Sequence, residues 1–328
     1  MKNINFLLFE CTFLRYFIPI VIEANKRNIK SNFFIKESNK YNCPHKYKNQ
    51  LDSLLSTHNA CLHDIKDFRK FDGLTFLIEG VGREYISKNK HFVVSITYMS
   101  DFIGLYEQYI EDVNAVIFPS SYFANYYATL NHNKNYYLGS PKYDCRLNYN
   151  EILKKYDFDK NQKRILIIFP RTRDLNKINL EKIYNISKEL KYEIIVKTRG
   201  KDLVLDEKLK GDKYFIDYSW YPHTTLELIK VCDLVINFNS TVVKECVMLE
   251  KPIINFNIKP IKPLEFLYNG EYCMEITSDD LDKDLVNAID YLHDNKFSYK
   301  EAQKKYLFNP NKNVSREILD EFFCYDLT

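Results

Sequence analysis

The apolar positions of this chain fall into short continuous runs separated by longer stretches with a helical period. Asn5–Phe9, Asn32–Ile35, Gly73–Ile78, Phe92–Ile96, Ala115–Phe118 and Tyr136–Leu138 read as strands of a first set. Phe13–Lys26 and Tyr122–Leu130 read as helices within it, the first closed by Arg27-Asn28. Residues 36–70 are polar and carry no clear period. A second set opens at Arg164, with strands at Ile165–Phe169, Glu193–Lys197, Tyr214–Ile216, Leu234–Ile236 and Ile253–Phe256. Leu180–Leu190 and Thr225–Val231 supply helices between them; Asp284–His293, Glu301–Leu307 and Ser315–Phe323 supply the last three. Strands alternating with helices predict parallel sheets, and two such sets predict an α/β protein of two Rossmann-like domains facing across a cleft. The expected division is a first domain over residues 1–145, a linker over 146–163 and a second domain, with the terminal helix, over 164–328. A ligand is expected at the carboxyl ends of the strands.

One stretch concentrates the chemistry: CDLVINFNSTVVKECVMLEKPIINF, Cys232 to Phe256. It reads as strand, polar turn, helix, tight turn and strand. Asn237, Asn239, Ser240 and Thr241 supply turn and N-cap chemistry, and Lys251-Pro252 ends the helix. A helix start presents unpaired N–H groups, so with two hydroxyls beside it this turn suits a phosphate. Glu245, four residues after Thr241, is placed to accept hydrogen bonds from ribose hydroxyls.

Three more loops of the second set sit beside strands. Pro170-Arg171-Thr172-Arg173 follows one strand, Lys197-Thr198-Arg199-Gly200-Lys201 another, and Tyr218–Thr224, with His223, enters a helix. Arg binds phosphate as a fork and Lys as a point charge, so these loops suit a diphosphate.

Composition adds exclusions. The chain has 328 residues, and 47 Lys and Arg against 44 Asp and Glu give a net charge of +3, which is no nucleic-acid footprint. That mild charge is compatible with a peripheral visit to an anionic membrane, although no basic amphipathic helix stands out. Glu10, Arg15 and Pro19 interrupt the apolar residues 5–24, which argues against a membrane span or secretory signal. Eight cysteines without CxxC spacing read as reduced thiols in a cytoplasm. Cys43, His45, His58, Cys61 and His63 lie close in sequence but match no standard zinc spacing, and Asp157-Phe158-Asp159 falls in the expected linker, so no metal site is assigned. GxSxG, GxxxxGK[ST] and GxGxxG are all absent.

The long motif resembles the donor-binding segment of GT-B proteins, the group that includes CDP-glycerol glycerophosphotransferases, capsule glycosyltransferases and UDP-N-acetylglucosamine 2-epimerases. Glu250 stands where that group usually has Gly. YLGSPKYD (Tyr137–Asp144) resembles the segment closing their first domain, FPRTRDLNK the opening of their second, and IIVKTRG their strand ending in His-Pro. The resemblance implies a first domain for the acceptor and a second for the donor. It places Asn239, Ser240 and Thr241 at the donor phosphates and Glu245 at the ribose. Arg171 and Arg173 would line the phosphate or acceptor side, Lys197 and Arg199 would face the diphosphate, and His223 would lie near the nucleobase.

Two family histidines are missing: Thr198-Arg199 replaces one, and Thr97–Asp101 stands in place of the His-Gly that often carries the base. The base must come from elsewhere, with Glu79 ranked first and Asp101 second. The implied activity is transfer from a nucleotide-activated sugar or CDP-alditol donor to a glycan or surface-polysaccharide acceptor, without a bound metal or other required cofactor. A 2-epimerase-like enzyme, a nucleotide-sugar-binding protein without catalysis, and a zinc-stabilised interaction module are the alternatives.

Overall fold

The structure is a computed structural model describing residues 3–36, 48–87, 90–98, 103–122, 132–170, 172–198, 206–216, 220–258, 273–276, 281–294, 299–307 and 312–323. The chain forms two compact units, residues 1–145 with 304–328, and residues 146–303.

The first unit runs β1 (Asn3–Leu8), α1 (Leu14–Lys26), β2 (Lys30–Ile35), α2 (Lys48–Thr57), β3 (Ala60–Asp64), β4 (Gly73–Ile78), β5 (His91–Ile96), α3 (Ile103–Tyr109), β6 (Ala115–Ile117) and β7 (Asn135–Tyr136). Its seven described strands lie in the order β3-β2-β1-β4-β5-β6-β7, all parallel. Phe6 of β1 pairs with Phe33 of β2 and Phe76 of β4. The three rings stack at 4.7 and 5.5 Å, with Phe17 of α1 at 5.1 Å from Phe6. Helices cover such a sheet on both faces, which is why its strands read as continuous apolar runs rather than alternating ones.

The second unit runs α4 (Tyr149–Lys155), β8 (Arg164–Ile168), α5 (Leu180–Glu189), β9 (Glu193–Lys197), β10 (Lys213–Phe215), α6 (Thr224–Val231), β11 (Leu234–Asn237), α7 (Val243–Met248), β12 (Ile253–Phe256), β13 (Met274–Ile276), α8 (Leu281–Asp294) and α9 (Tyr299–Ala302). Its six described strands form a parallel sheet in the order β10-β9-β8-β11-β12-β13. Ile165, Ile167, Ile194, Val196, Ile236 and Ile254 are wholly buried between this sheet and helices such as α5 and α8. Both units are therefore α/β, as the alternation predicts.

Three expectations change. Residues 146–163 are part of the second unit rather than a linker: Lys155 and Tyr156 donate to buried Glu227 of α6 at 2.7 and 2.5 Å. The terminal helix α10 (Val314–Phe322) belongs to the first unit rather than the second. Asp144 Oδ1 accepts the N–H of Val314 at 3.1 Å and Oδ2 that of Ser315 at 2.6 Å, while Phe322 packs 4.8 Å from Tyr136. An amphipathic helix can bury its stripe on any apolar face, and sequence position does not choose the face. Finally, α2 and β3 occupy the stretch that shows no period. β3 is an edge strand spelled ACLHD, with no apolar run to reveal it.

Among the described residues no helix is long and apolar enough to cross a membrane. No disulfide joins the described cysteines.

Candidate active site

In a parallel sheet every following helix begins at the carboxyl edge. The loops after β8, β9 and β11 and the start of α6 therefore emerge at one edge of the second sheet. Strand order reverses between β8 and β11, the crevice where α/β sheets hold ligands. Ile168 pairs with Lys197, and Asn237 with Asn255, so the β8, β9, β11 and β12 ends are brought alongside one another in register.

The turn after β11 is fixed by amides. Asn237, fully buried, donates from Nδ2 to Ser240 O at 3.1 Å and to Asn255 Oδ1 at 2.9 Å. Asn239 adopts the left-handed conformation (φ 50°), and its N–H also donates to Asn255 Oδ1, at 2.9 Å. Its side chain is bonded at both ends: Oδ1 accepts from Ile258 N at 2.7 Å and Nδ2 donates to Asn257 Oδ1 at 3.3 Å. Asn239, expected among the phosphate ligands, thus ties the turn to the segment after β12.

The helix also starts later than the sequence suggests. Val242 is the N-cap of α7, without a side-chain cap, and Lys244 N closes a turn onto Thr241 O at 3.1 Å. Ser240 and Thr241 precede the helix rather than cap it, because the backbone closes the first turn by itself. Ser240 and Glu245 are buried, while Thr241 is exposed.

Lys197 ends β9 buried, its Nζ donating to Thr198 O at 3.0 Å. His223 is the buried N-cap residue of α6, following the cis Tyr221-Pro222 bond. Arg173 lies on the short 3-10 turn Thr172–Lys177 that follows β8. Arg171 and Arg199 fall outside the described residues.

The first unit presents its own reversal, between β1 and β4. Glu79 follows β4 in the left-handed conformation (φ 49°), half-buried, with Oε1 accepting from Tyr98 N at 2.7 Å. A non-glycine residue in that conformation costs energy and is often kept for function. Gly80 and Gly82 complete the turn with φ of 69° and 97°. A Cβ on Gly80 would lie 2.3 Å from Tyr109 Cβ, and one on Gly82 would lie 2.4 Å from Phe9 Cε2. Asp101, the second candidate base, falls outside the described residues.

Two groups at this edge escaped the sequence reading. Glu10 comes just after β1, beside the same reversal, its Oε2 accepting from Thr12 Oγ1 at 3.1 Å. Arg15, near the start of α1, donates from Nη2 to Tyr98 OH at 2.5 Å. An acid directly after the apolar run of β1 was the available signal for Glu10. Arg15 gave none, because its partner is 83 positions away.

The cysteine–histidine stretch does not assemble a metal site among the described residues. Cys43 and His45 lie outside them. His63 stacks on Phe34 at 5.2 Å, and its Nε2 pairs with Asn32 Oδ1 at 3.3 Å.

No protein-family model and no curated protein sequence matches the chain. Solved structures do resemble it. The wall teichoic acid polymerase TagF, in a variant soaked with CDPG, superposes with a TM-score of 0.65 at 15% identity, covering 98% of this chain and 88% of TagF. The chain has the GT-B fold. The UDP-GlcNAc 2-epimerase from Neisseria meningitidis bound to UDP-GlcNAc superposes at 0.64 and 12% identity, covering 99% of this chain and 100% of the epimerase. A glycosyltransferase from Rickettsia africae gives 0.57 at 12% identity, with 99% of each chain covered. In GT-B terms, the turn after β11 lies on the second Rossmann-like unit and Glu79 on the first.

Proposed function

We propose that the protein transfers a sugar or alditol-phosphate unit from a nucleotide-activated donor to a glycan or surface-polysaccharide acceptor. The observation that supports this most is the gathering of Ser240, Glu245, Lys197 and His223 at the carboxyl edge of one sheet, around its strand-order reversal. The GT-B fold is shared with a polymerase soaked with CDPG and an epimerase bound to UDP-GlcNAc.

In this reading the second unit holds the donor. Ser240 and Thr241 meet the phosphates, with the turn contributing more than the dipole of a six-residue helix. Glu245 accepts from the ribose hydroxyls, and His223 lies beside the nucleobase. Lys197, with Arg171, Arg173 and Arg199, neutralises the departing phosphates, so the step calls for no resident metal or other cofactor. The first unit presents the acceptor. Glu79, with Asp101 as the second candidate, takes the proton of the acceptor hydroxyl. The acceptor oxygen then bonds to the transferred unit as its bond to the nucleotide breaks. Such a donor, and cysteines that form no disulfide among the described residues, fit a cytoplasmic enzyme.

A thermal-shift series with UDP, CMP, CDP, GDP and their sugar or alditol conjugates tests the reading. A ligand at a hundredfold its Kd stabilises the folded state by about 2.7 kcal/mol. One nucleotide giving a clear shift, and its conjugate being consumed only with an acceptor present, is the expected result. No shift with any of them at millimolar ligand rejects it.

Glu10 favours a second reading. A 2-epimerase needs several acids in the first unit, and Glu10 joins Glu79 beside the β1–β4 reversal. Conversion of the donor sugar without acceptor would select the epimerase; binding without turnover would select a nucleotide-sugar-binding protein.

A further inference from the structure

We propose that Asn255 is a positioning residue for the turn after β11, and that this turn is shaped by amides rather than acids so that it can take a phosphate. The phosphate rests on the donor reading of the turn; the positioning rests on its hydrogen bonds.

Asn255 lies on β12, opposite Asn237 of β11 in the parallel register, and both are fully buried. Its Oδ1 accepts from Asn237 Nδ2 at 2.9 Å and from the backbone N–H of Asn239 at 2.9 Å. Asn237 Nδ2 also donates to Ser240 O at 3.1 Å. One oxygen of β12 therefore holds Asn239 directly and Ser240 through Asn237. Being buried, Asn255 acts on a ligand through the turn it holds.

An aspartate could do what Oδ1 does. The other end of the amide, Nδ2, is buried and makes no hydrogen bond among the described residues. Native structures avoid orphaned buried N–H groups, so this one calls for an explanation. Elsewhere the chain gives the same task to carboxylates. Asp144 takes the N–H groups of Val314 and Ser315, Asp233 that of Arg164, and Asp212 that of Ile194. Around the turn after β11 the side chains of the network, Asn237, Asn239, Asn255 and Asn257, are all amides. Glu245, the next acid along the chain, belongs to α7 and follows buried Lys244.

A carboxylate in place of Asn255 would accept the same two bonds without the orphaned N–H. It would also set a negative charge, poorly screened by water, behind the turn. Neutrality is what the amide adds. Neutrality matters where an anion is to bind, because charges a few ångströms apart interact strongly at reduced dielectric.

Two readouts on the full chain test this. Amide hydrogen exchange without ligand follows the Asn239 N–H, with the Phe169 N–H, bonded to Lys197 O at 2.9 Å, as a reference in the same unit. Calorimetric titration with UDP-glucose, CDP-glycerol and inorganic pyrophosphate follows the anion. Asn255→Leu should speed exchange at Asn239 by about tenfold or more with Phe169 unchanged, and should weaken the diphosphate that the parent binds by about tenfold or more. Asn255→Asp should keep Asn239 protected yet weaken the bound sugar or alditol diphosphate by about tenfold, the loss growing from about pH 5.5 to about pH 8.5 as the introduced carboxyl ionises. The esterified diphosphates stay ionised throughout that range, so the trend belongs to the protein. Where Asn255→Leu fails to fold, Asn255→Asp carries the test.

Unchanged exchange at Asn239 in folded Asn255→Leu overturns the proposal, as does Asn255→Asp binding like the parent at the upper end of the pH range. A parent that binds a nucleotide without dependence on Asn255 keeps the transferase reading and loses this proposal. Pyrophosphate binding that depends on Asn255, with neither nucleotide bound, does the converse. A parent that binds none of the three overturns both.

Discussion

Asn239 Oδ1 accepts the backbone N–H of Ile258 at 2.7 Å, joining the turn after β11 to the segment leaving β12. That bond, the left-handed backbone at Asn239 and the accepting amide oxygen of Asn255 together shape the turn that carries Ser240. Asn239→Ala removes the side-chain bonds and places alanine in a conformation it resists. A loss of about 1–3 kcal/mol is expected in urea unfolding, with weaker nucleotide response following from the misplaced turn. Asn239→Gly, which accepts the backbone but not the bonds, should recover only part of the loss.

Glu79 and Ser240 should separate chemistry from donor binding. Glu79→Gln keeps the turn and removes the proposed proton acceptor, so donor consumption should fall by about a hundredfold to ten-thousandfold while the thermal shift with nucleotide is retained. Ser240→Ala and Glu245→Ala should do the reverse, weakening nucleotide affinity by roughly tenfold each. Unchanged nucleotide affinity in both would sink the assignment of this turn to the donor.

Gly80 bears on the same sheet edge through packing. A methyl group there would meet Tyr109 Cβ at 2.3 Å, on a backbone with φ of 69°. Cβ is the least mobile part of the tyrosine side chain, so the strand-end turn itself must shift. Gly80→Ala should cost about 2–4 kcal/mol in urea unfolding, combining overpacking with a strained conformation.

His91 links pH to stability in the first unit. Its ring is buried, stacks on Phe68 at 4.4 Å and pairs through Nδ1 with Thr75 Oγ1 at 3.2 Å. Burial holds its pKa below the ordinary 6.5, with nearby Lys90 lowering it further and Asp72 opposing. Between the folded value and 6.5 the unfolded chain binds a proton that the folded chain refuses. Stability is therefore full above that window and falls as pH drops through 6.5 toward the folded value. The slope is at most about 1.4 kcal/mol per pH unit for one histidine. Urea midpoints measured from about pH 8 to about pH 5 should show the fall in the parent and a smaller one in His91→Phe. A residual slope is expected, since burial also lowers His58 and His63.

Much of the fold was legible because its physics is local. The strands of a parallel sheet are buried on both faces, so Leu74–Ile78 and Ile165–Ile168 announce themselves as apolar runs wherever they sit. The edge strand β3 has no such run, and its place next to β2 is set by pairings such as Phe33 with Leu62 that no local pattern reveals. The polar turn after β11 was legible in its spelling, but the hydrogen bonds of Asn239 were not. Whether an amide binds a ligand or its own fold depends on which backbone N–H, here that of Ile258, comes within reach.

By itself the sequence determined the alternation of strands and helices, the two Rossmann-like sets and the polar turn after β11, since periodicity, caps and breakers act over a few residues. Tertiary structure alone decided that the terminal helix returns to the first unit, where Asp144 meets Ser315, and that Arg15 meets Tyr98 and Lys142 meets Tyr16. Those contacts join residues far apart in the chain. They form only once buried apolar faces have fixed which segments become neighbours.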